Sequence, residues 1–114
     1  MTLIYKIVPK SLWRASEAAG VFGGAPVDLA DGFIHFSTAE QTRETAQKHF
    51  RGQMDLLLVA VAAEDLGDAL KWEVSRGGAL FPHLHAPLPV STARSIAGIP
   101  IASDGSHDFS GLLP

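Results

Sequence analysis

Apolar and polar positions along this chain follow two periods, and the switches between them mark out its elements. Leu3-Ile4-Tyr5-Lys6-Ile7-Val8 is a mostly apolar run closed by Pro9. It predicts a first strand leading into a helix, because the missing proline N–H costs nothing in a first helical turn. Leu12, Ala15 and Ala19 recur at helical spacing beside Trp13, and Gly20 is suited to end that helix at positive φ. Gly23-Gly24-Ala25-Pro26 reads as a loop mobile enough to cover a ligand, although such a stretch is more often only a connector. From Gly32 to Thr38 the chain reads as a short strand, with Ile34 and Phe36 on one face and Phe33, His35 and Ser37 on the other.

That strand runs into a second predicted helix over 39–51. Ser37-Thr38-Ala39-Glu40 match a capping box, and Ala39, Thr42, Ala46 and Phe50 form the inner stripe. His49 falls on or near the solvated side. Asp55 to Val61 is almost unbroken hydrocarbon, the mark of a strand covered on both faces and therefore central. Glu64 to Leu70 makes a turn or a single helical turn. Lys71-Trp72-Glu73-Val74-Ser75 alternates, which predicts Trp72 and Val74 inward and Glu73 on the other face. Gly77-Gly78 signals a hairpin. A proline-punctuated segment over 79–88 and a strand over 90–97 follow, then a turn at Asp104-Gly105. The predicted class is α+β: two early helices packed on a mainly antiparallel or mixed sheet, or on two small sheets. A single domain spans 1–114, its ordered core at about 3–102 and a loose C-terminal tail at 103–114.

Composition narrows the chemistry. Apolar residues make up 46% of the 114 positions, ample for a packed core, and the net charge of −3 offers no extended surface for nucleic acid. Cys is absent, so disulfides, thiolate metal sites and a cysteine nucleophile are excluded. The longest apolar run is too short to cross a bilayer, and the first residues lack a signal-peptide pattern, which together point to a soluble cytoplasmic protein without membrane partners. Oligomeric state is not legible. Dinucleotide and phosphate-loop glycine motifs, His-Glu-x-x-His and Gly-x-Ser-x-Gly are all missing.

What remains is a set of polar residues at strand ends: Lys6, His35, Ser37, Glu73, Arg76, His83 and His85. His35 sits where a strand meets a helix N-terminus whose free amides, beginning at Ser37 and Thr38, attract anions. It suits a phosphate or ribose contact or a proton transfer, and equally a half-buried histidine bonded to backbone. His83 and His85 lie on one side of an extended segment and, with His35 or Glu73, match a divalent-metal pattern, although a lone His-x-His is more often a hydrogen-bonded pair. Trp13 and Trp72 are expected in the core.

The succession Ile4-Tyr5-Lys6-Ile7, Trp13, Asp31-Gly32-Phe33-Ile34-His35-Phe36-Ser37-Thr38, Glu40-Gln41, Leu56 to Val61, Lys71-Trp72-Glu73 and Phe81-Pro82-His83-Leu84 resembles the small bacterial proteins grouped as domain of unknown function 952. That family brings no established activity, but its fold is similar to ADP-ribosyltransferases and RNA 2′-phosphotransferases that consume NAD. The resemblance implies a nucleotide cleft in which His35 faces NAD and Glu73 acts on the nicotinamide ribose, both in catalytic positions. Lys6, Ser37, Thr38, Arg76 and His83 would line it, with Lys6 standing where those enzymes carry a histidine. The functions implied are transfer or release of an ADP-ribosyl group from NAD, or non-catalytic binding of a nucleotide or RNA end. A metal-assisted hydrolase using His35, His83 and His85 is a third expectation.

Overall fold

The computed structural model describes residues Met1 to Pro114, apart from the side chain of Arg76. Its centre is the apolar run expected there. β4 (Leu56–Ala62) is buried at all seven positions and pairs antiparallel with β1 (Leu3–Pro9) on one side and β8 (Ala93–Gly98) on the other. Alternation along β1 and β4 divides the core between the two faces of this sheet. Ile4, Val8, Leu57, Val59 and Val61 pack with Trp13, Phe22, Phe36 and Leu84. Tyr5, Ile7, Leu56, Leu58 and Ala60 pack with Ala46, Ile99 and Phe109. Each fully buried aliphatic side chain contributes roughly 1.5–3 kcal/mol relative to an exposed one.

Two smaller antiparallel sheets lie beside the first. β3 (Ile34–His35), β6 (Leu80–Leu84) and β5 (Leu70–Val74) run in the order β3-β6-β5, while β2 (Val21–Phe22) pairs with β7 (Leu88–Pro89). Ser37 ties the β3 segment to the central sheet, since Ser37 and Tyr5 exchange two backbone hydrogen bonds of 2.8 Å. The molecule is a mixed α+β fold built on antiparallel sheets.

Three α-helices complete it, one more than expected. α1 (Lys10–Ala19) and α3 (Ala39–His49) match the two helical periodicities, and Gly20 ends α1 at φ 84°. α2 (Pro26–Asp31) stands inside what reads as loop, because six residues are too few to show a hydrophobic period. α3 begins at Ala39 as expected, but its cap lies one residue later than the sequence suggests. Its capping box is Thr38 with Gln41, not Ser37 with Glu40: Thr38 Oγ1 accepts from the Gln41 N–H at 3.2 Å and Gln41 Oε1 from the Thr38 N–H at 3.0 Å. Pairing with Tyr5 holds Ser37 in the sheet and so displaces the cap.

Two further expectations are corrected. Trp72 and Val74 point outward, 43% and 70% exposed, whereas Trp13 is fully buried. Leu70 and Leu84 fill the core on that face, and the β5–β6 hairpin carries Trp72 and Val74 past its edge. The last residues are packed and not loose. Ile101 bridges His107, and Phe109, 4% exposed, enters the core with Leu112 and Leu113 against it. Among the described residues, no helix is long and apolar enough to cross a membrane.

Candidate functional site

The register of the β3-β6-β5 sheet gathers the expected polar residues on one face. His35 stands opposite His83, His83 opposite Lys71, and Glu73 opposite Phe81. Since paired residues share a face and alternate residues repeat it, His35, His83, His85 and Glu73 project together. Phe33 lies over them, its ring centroid 4.5 Å from that of His35, 4.2 Å from His83 and 5.2 Å from His85.

Glu73 binds two imidazoles through one oxygen. Its Oε1 is 2.9 Å from His83 Nδ1 and 2.8 Å from His85 Nε2. These hydrogen bonds, that of His85 first, hold the Glu73 carboxyl below its ordinary pKa. Burial pulls His83 the other way from its carboxylate partner, below the ordinary histidine value, so its neutral form donates from Nδ1. His83 also joins the two halves of the site, because its ring meets that of His35 edge-on at 5.4 Å. His35 and Glu73 therefore converge on one face through His83 and not by direct contact.

The other half is organised by a residue that the sequence reading missed. Asp28 of α2, buried, accepts from Lys6 Nζ at 3.0 Å, the His35 N–H at 3.1 Å and the Ala25 N–H at 2.7 Å. His35 Nδ1 lies 2.6 Å from Asp28 Oδ1, the oxygen that also takes Lys6 and the His35 N–H while Oδ2 takes Ala25, and His35 Nε2 lies 2.9 Å from Asp31 Oδ2. Burial alone would raise the Asp28 pKa, but the His35 hydrogen bond, the Lys6 charge and the two backbone donors bring it down to about 2. Lys6 is itself lowered by burial, against the attraction of Asp28. The close approach of the Gly24 backbone belongs to the same device: at φ +127°, a Cβ there would stand 2.9 Å from Asp28 Cβ. The signal for Asp28 was Pro26 followed by an acid at the third helical position, a helix-start pattern with too short a body behind it.

The remaining expected residues lie elsewhere. Lys6 is only 6% exposed with its ammonium on Asp28, so it supports the site from below and opens no contact to solvent. The Ser37 hydroxyl pairs with Thr45 at 2.9 Å, and Thr38 caps α3. The side chain of Arg76 lies outside the described residues. Among the described residues no three His, Asp or Glu side chains converge as metal ligands. Both ring nitrogens of His35 face carboxylates, and Glu73 occupies one nitrogen each of His83 and His85. Beside the cluster a cavity of about 260 Å³ is bounded by Gly23, Asp28, Phe33, Ile34, Leu84 and His85. Gly23, which opens the glycine pair before α2, forms part of its rim.

Phe33, three imidazoles and the carboxylates of Asp28, Asp31 and Glu73 that hold them thus lie together beside a cavity. The chain belongs to the family described as protein of unknown function (DUF952), whose model matches residues 7–96. It is similar to protein CC0527 from Caulobacter crescentus. An X-ray structure of that protein is 54% identical over 97% of both chains, with a TM-score of 0.94. A solution NMR structure of it is 55% identical over 99% of this chain and 97% of that one, with a TM-score of 0.88. No curated protein matches the chain.

Proposed function

We propose that the Phe33–His35–His83–Glu73 face binds the nicotinamide-ribose end of NAD, or a related nucleotide, within an ADP-ribosyltransferase-like organisation. The observation that carries this reading is the shared face of His35 and Glu73, joined by His83 and roofed by Phe33. A cationic pyridinium ring is attracted to an aromatic face and to nearby carboxylates. When the bond between ribose C1′ and the nicotinamide nitrogen breaks, nicotinamide leaves with the electron pair and positive charge builds on the sugar. Glu73, held ionised by its imidazole partners, stabilises that charge. Water or another nucleophile then attacks C1′ and gives up its proton. His35, fixed by Asp28 and Asp31, orients the ribose.

Calorimetric titration with NAD, paired with an assay for free nicotinamide, tests the proposal. Wild type is expected to bind and to release nicotinamide, His35→Ala to bind more weakly, and Glu73→Gln to bind while releasing roughly a hundredfold more slowly. Absence of heat at millimolar NAD, with His35→Ala indistinguishable from wild type, ends this reading. A second reading, a non-catalytic nucleotide- or RNA-end-binding module, is favoured by Lys6, whose ammonium is spent on Asp28. Binding without any nicotinamide release selects it.

A further inference from the structure

We infer that the cavity between α3 and the C-terminal segment binds a phosphorylated small molecule through its phosphate monoester. This cavity, about 260 Å³, shares no lining residue with the one beside Phe33. Arg43, Gln47 and Arg51 form one wall, and Ser106, His107 and the buried Phe109 bound the other.

The charged side chains that line the space are both cations. Asp104 and Asp108 belong to the same segment, yet neither lines the space. Asp104 Oδ1 accepts from the Ser106 N–H at 2.9 Å and the Ser106 hydroxyl at 2.6 Å, and Asp108 Oδ1 accepts from the Ser110 N–H at 2.9 Å. Both carboxylates hold the turns of their own segment and feel the charges of Arg51 and Arg43, and it is the two guanidiniums that border the opening. Arg51 spends one donor on the Asp104 carbonyl, at 2.9 Å, and a guanidinium has five. Paired forks of this kind match the oxygens of a tetrahedral dianion better than any neutral ligand.

The wall is also built in advance. The Gly52 N–H donates to the Gly105 carbonyl at 2.9 Å, and a Cβ on Gly105 would lie 3.5 Å from Gly52 Cα, at φ +87°. His107 Nε2 donates to the Gln53 carbonyl at 2.8 Å. A preformed wall lowers the ordering cost of binding. Phe109, almost wholly buried in the core, closes the space on its apolar side. The net charge of −3 argues against a nucleic-acid backbone as the source of the phosphate.

Inorganic phosphate is the probe, followed by thermal unfolding and by amide NMR shifts. Phosphate is expected to raise the Tm and to shift resonances in α3 and around Ser106, where chloride at matched ionic strength does neither. Arg43→Gln is expected to weaken phosphate binding about tenfold or more, the loss of one charge-assisted pair, with Arg43→Lys intermediate. Arg51→Gln should act likewise; should it unfold for want of its Asp104 contact, Arg43→Gln, at an exposed position, decides alone. No phosphate response, a response equalled by chloride, or the same affinity in Arg43→Gln as in wild type overturns the assignment. Nicotinamide release by the other face is expected to be unchanged in Arg43→Gln, so the two sites fail separately.

Discussion

Asp28 and His35, seven positions apart in sequence, meet at 2.6 Å through Oδ1 and Nδ1, with the ammonium of Lys6 on the same oxygen. One short helix turn brings an acid onto the strand-end imidazole and buries it there. A buried carboxylate of this kind is tolerated because every approach to it carries a donor. Its substitution is correspondingly severe. Asp28→Asn leaves Lys6 buried without its counter-charge, which is expected to cost about 3–5 kcal/mol. Urea unfolding measures this, and the double variant Lys6→Met/Asp28→Asn should lose less than the sum of the two single changes.

The same carboxyl sets an acid limit. Its folded pKa of about 2 lies below the ordinary 3.8, so its stabilisation is complete above pH 3.8 and disappears as pH falls toward 2. At about 1.4 kcal/mol per unit, on the order of 2 kcal/mol is lost across that window. Unfolding followed at successive acid pH values should show this limb in wild type and a flatter one in Asp28→Asn.

His83 governs a milder window. Burial depresses its pKa below the ordinary 6.5, so the unfolded chain takes up a proton more readily than the folded one. Stability is therefore full above pH 6.5 and declines as pH falls below it. His83→Asn, which keeps a donor toward Glu73 but does not titrate, is expected to flatten that decline. A slope unchanged by the substitution would assign the effect to another group.

The two tryptophans should be separable by quenching. Trp72 is 43% exposed and Trp13 is not exposed at all. Iodide is expected to quench a fraction of the emission in wild type and almost none in Trp72→Phe. Quenching that survives in Trp72→Phe would contradict the burial of Trp13, and its absence in wild type would contradict the outward placement of Trp72.

Phe109 tests the packing of the C-terminal segment. Its side chain is 4% exposed against Ile99 and the α3 face of the sheet. Phe109→Ala is expected to cost about 3–5 kcal/mol in chemical denaturation, as other truncations of buried aromatic rings do. A change near zero would mean that the segment contributes nothing to the core.

Patterns that repeat within a few residues were legible before any coordinates. Leu56 to Ala62 could only be a covered strand, since every side chain is apolar and either face needs hydrocarbon against it. The stripe Ala39, Thr42, Ala46 committed α3, and Gly77-Gly78 committed the β5–β6 turn. The candidate residues His35, Glu73, His83 and His85 were legible for the same local reason, as polar groups placed at strand ends.

Long-range geometry was decided by folding. Alternation in β5 separates Trp72 from Glu73 but carries nothing about which face has a neighbour, and the reach of the hairpin beyond Leu70 and Leu84 left Trp72 in solvent. The cap moved from Ser37 to Thr38 because a strand distant in sequence claimed Ser37 first. Asp28 gained its role only when chain reversal through Gly32 carried α2 back against β1 and β3, since a carboxylate has no preferred partner until burial removes water as the alternative.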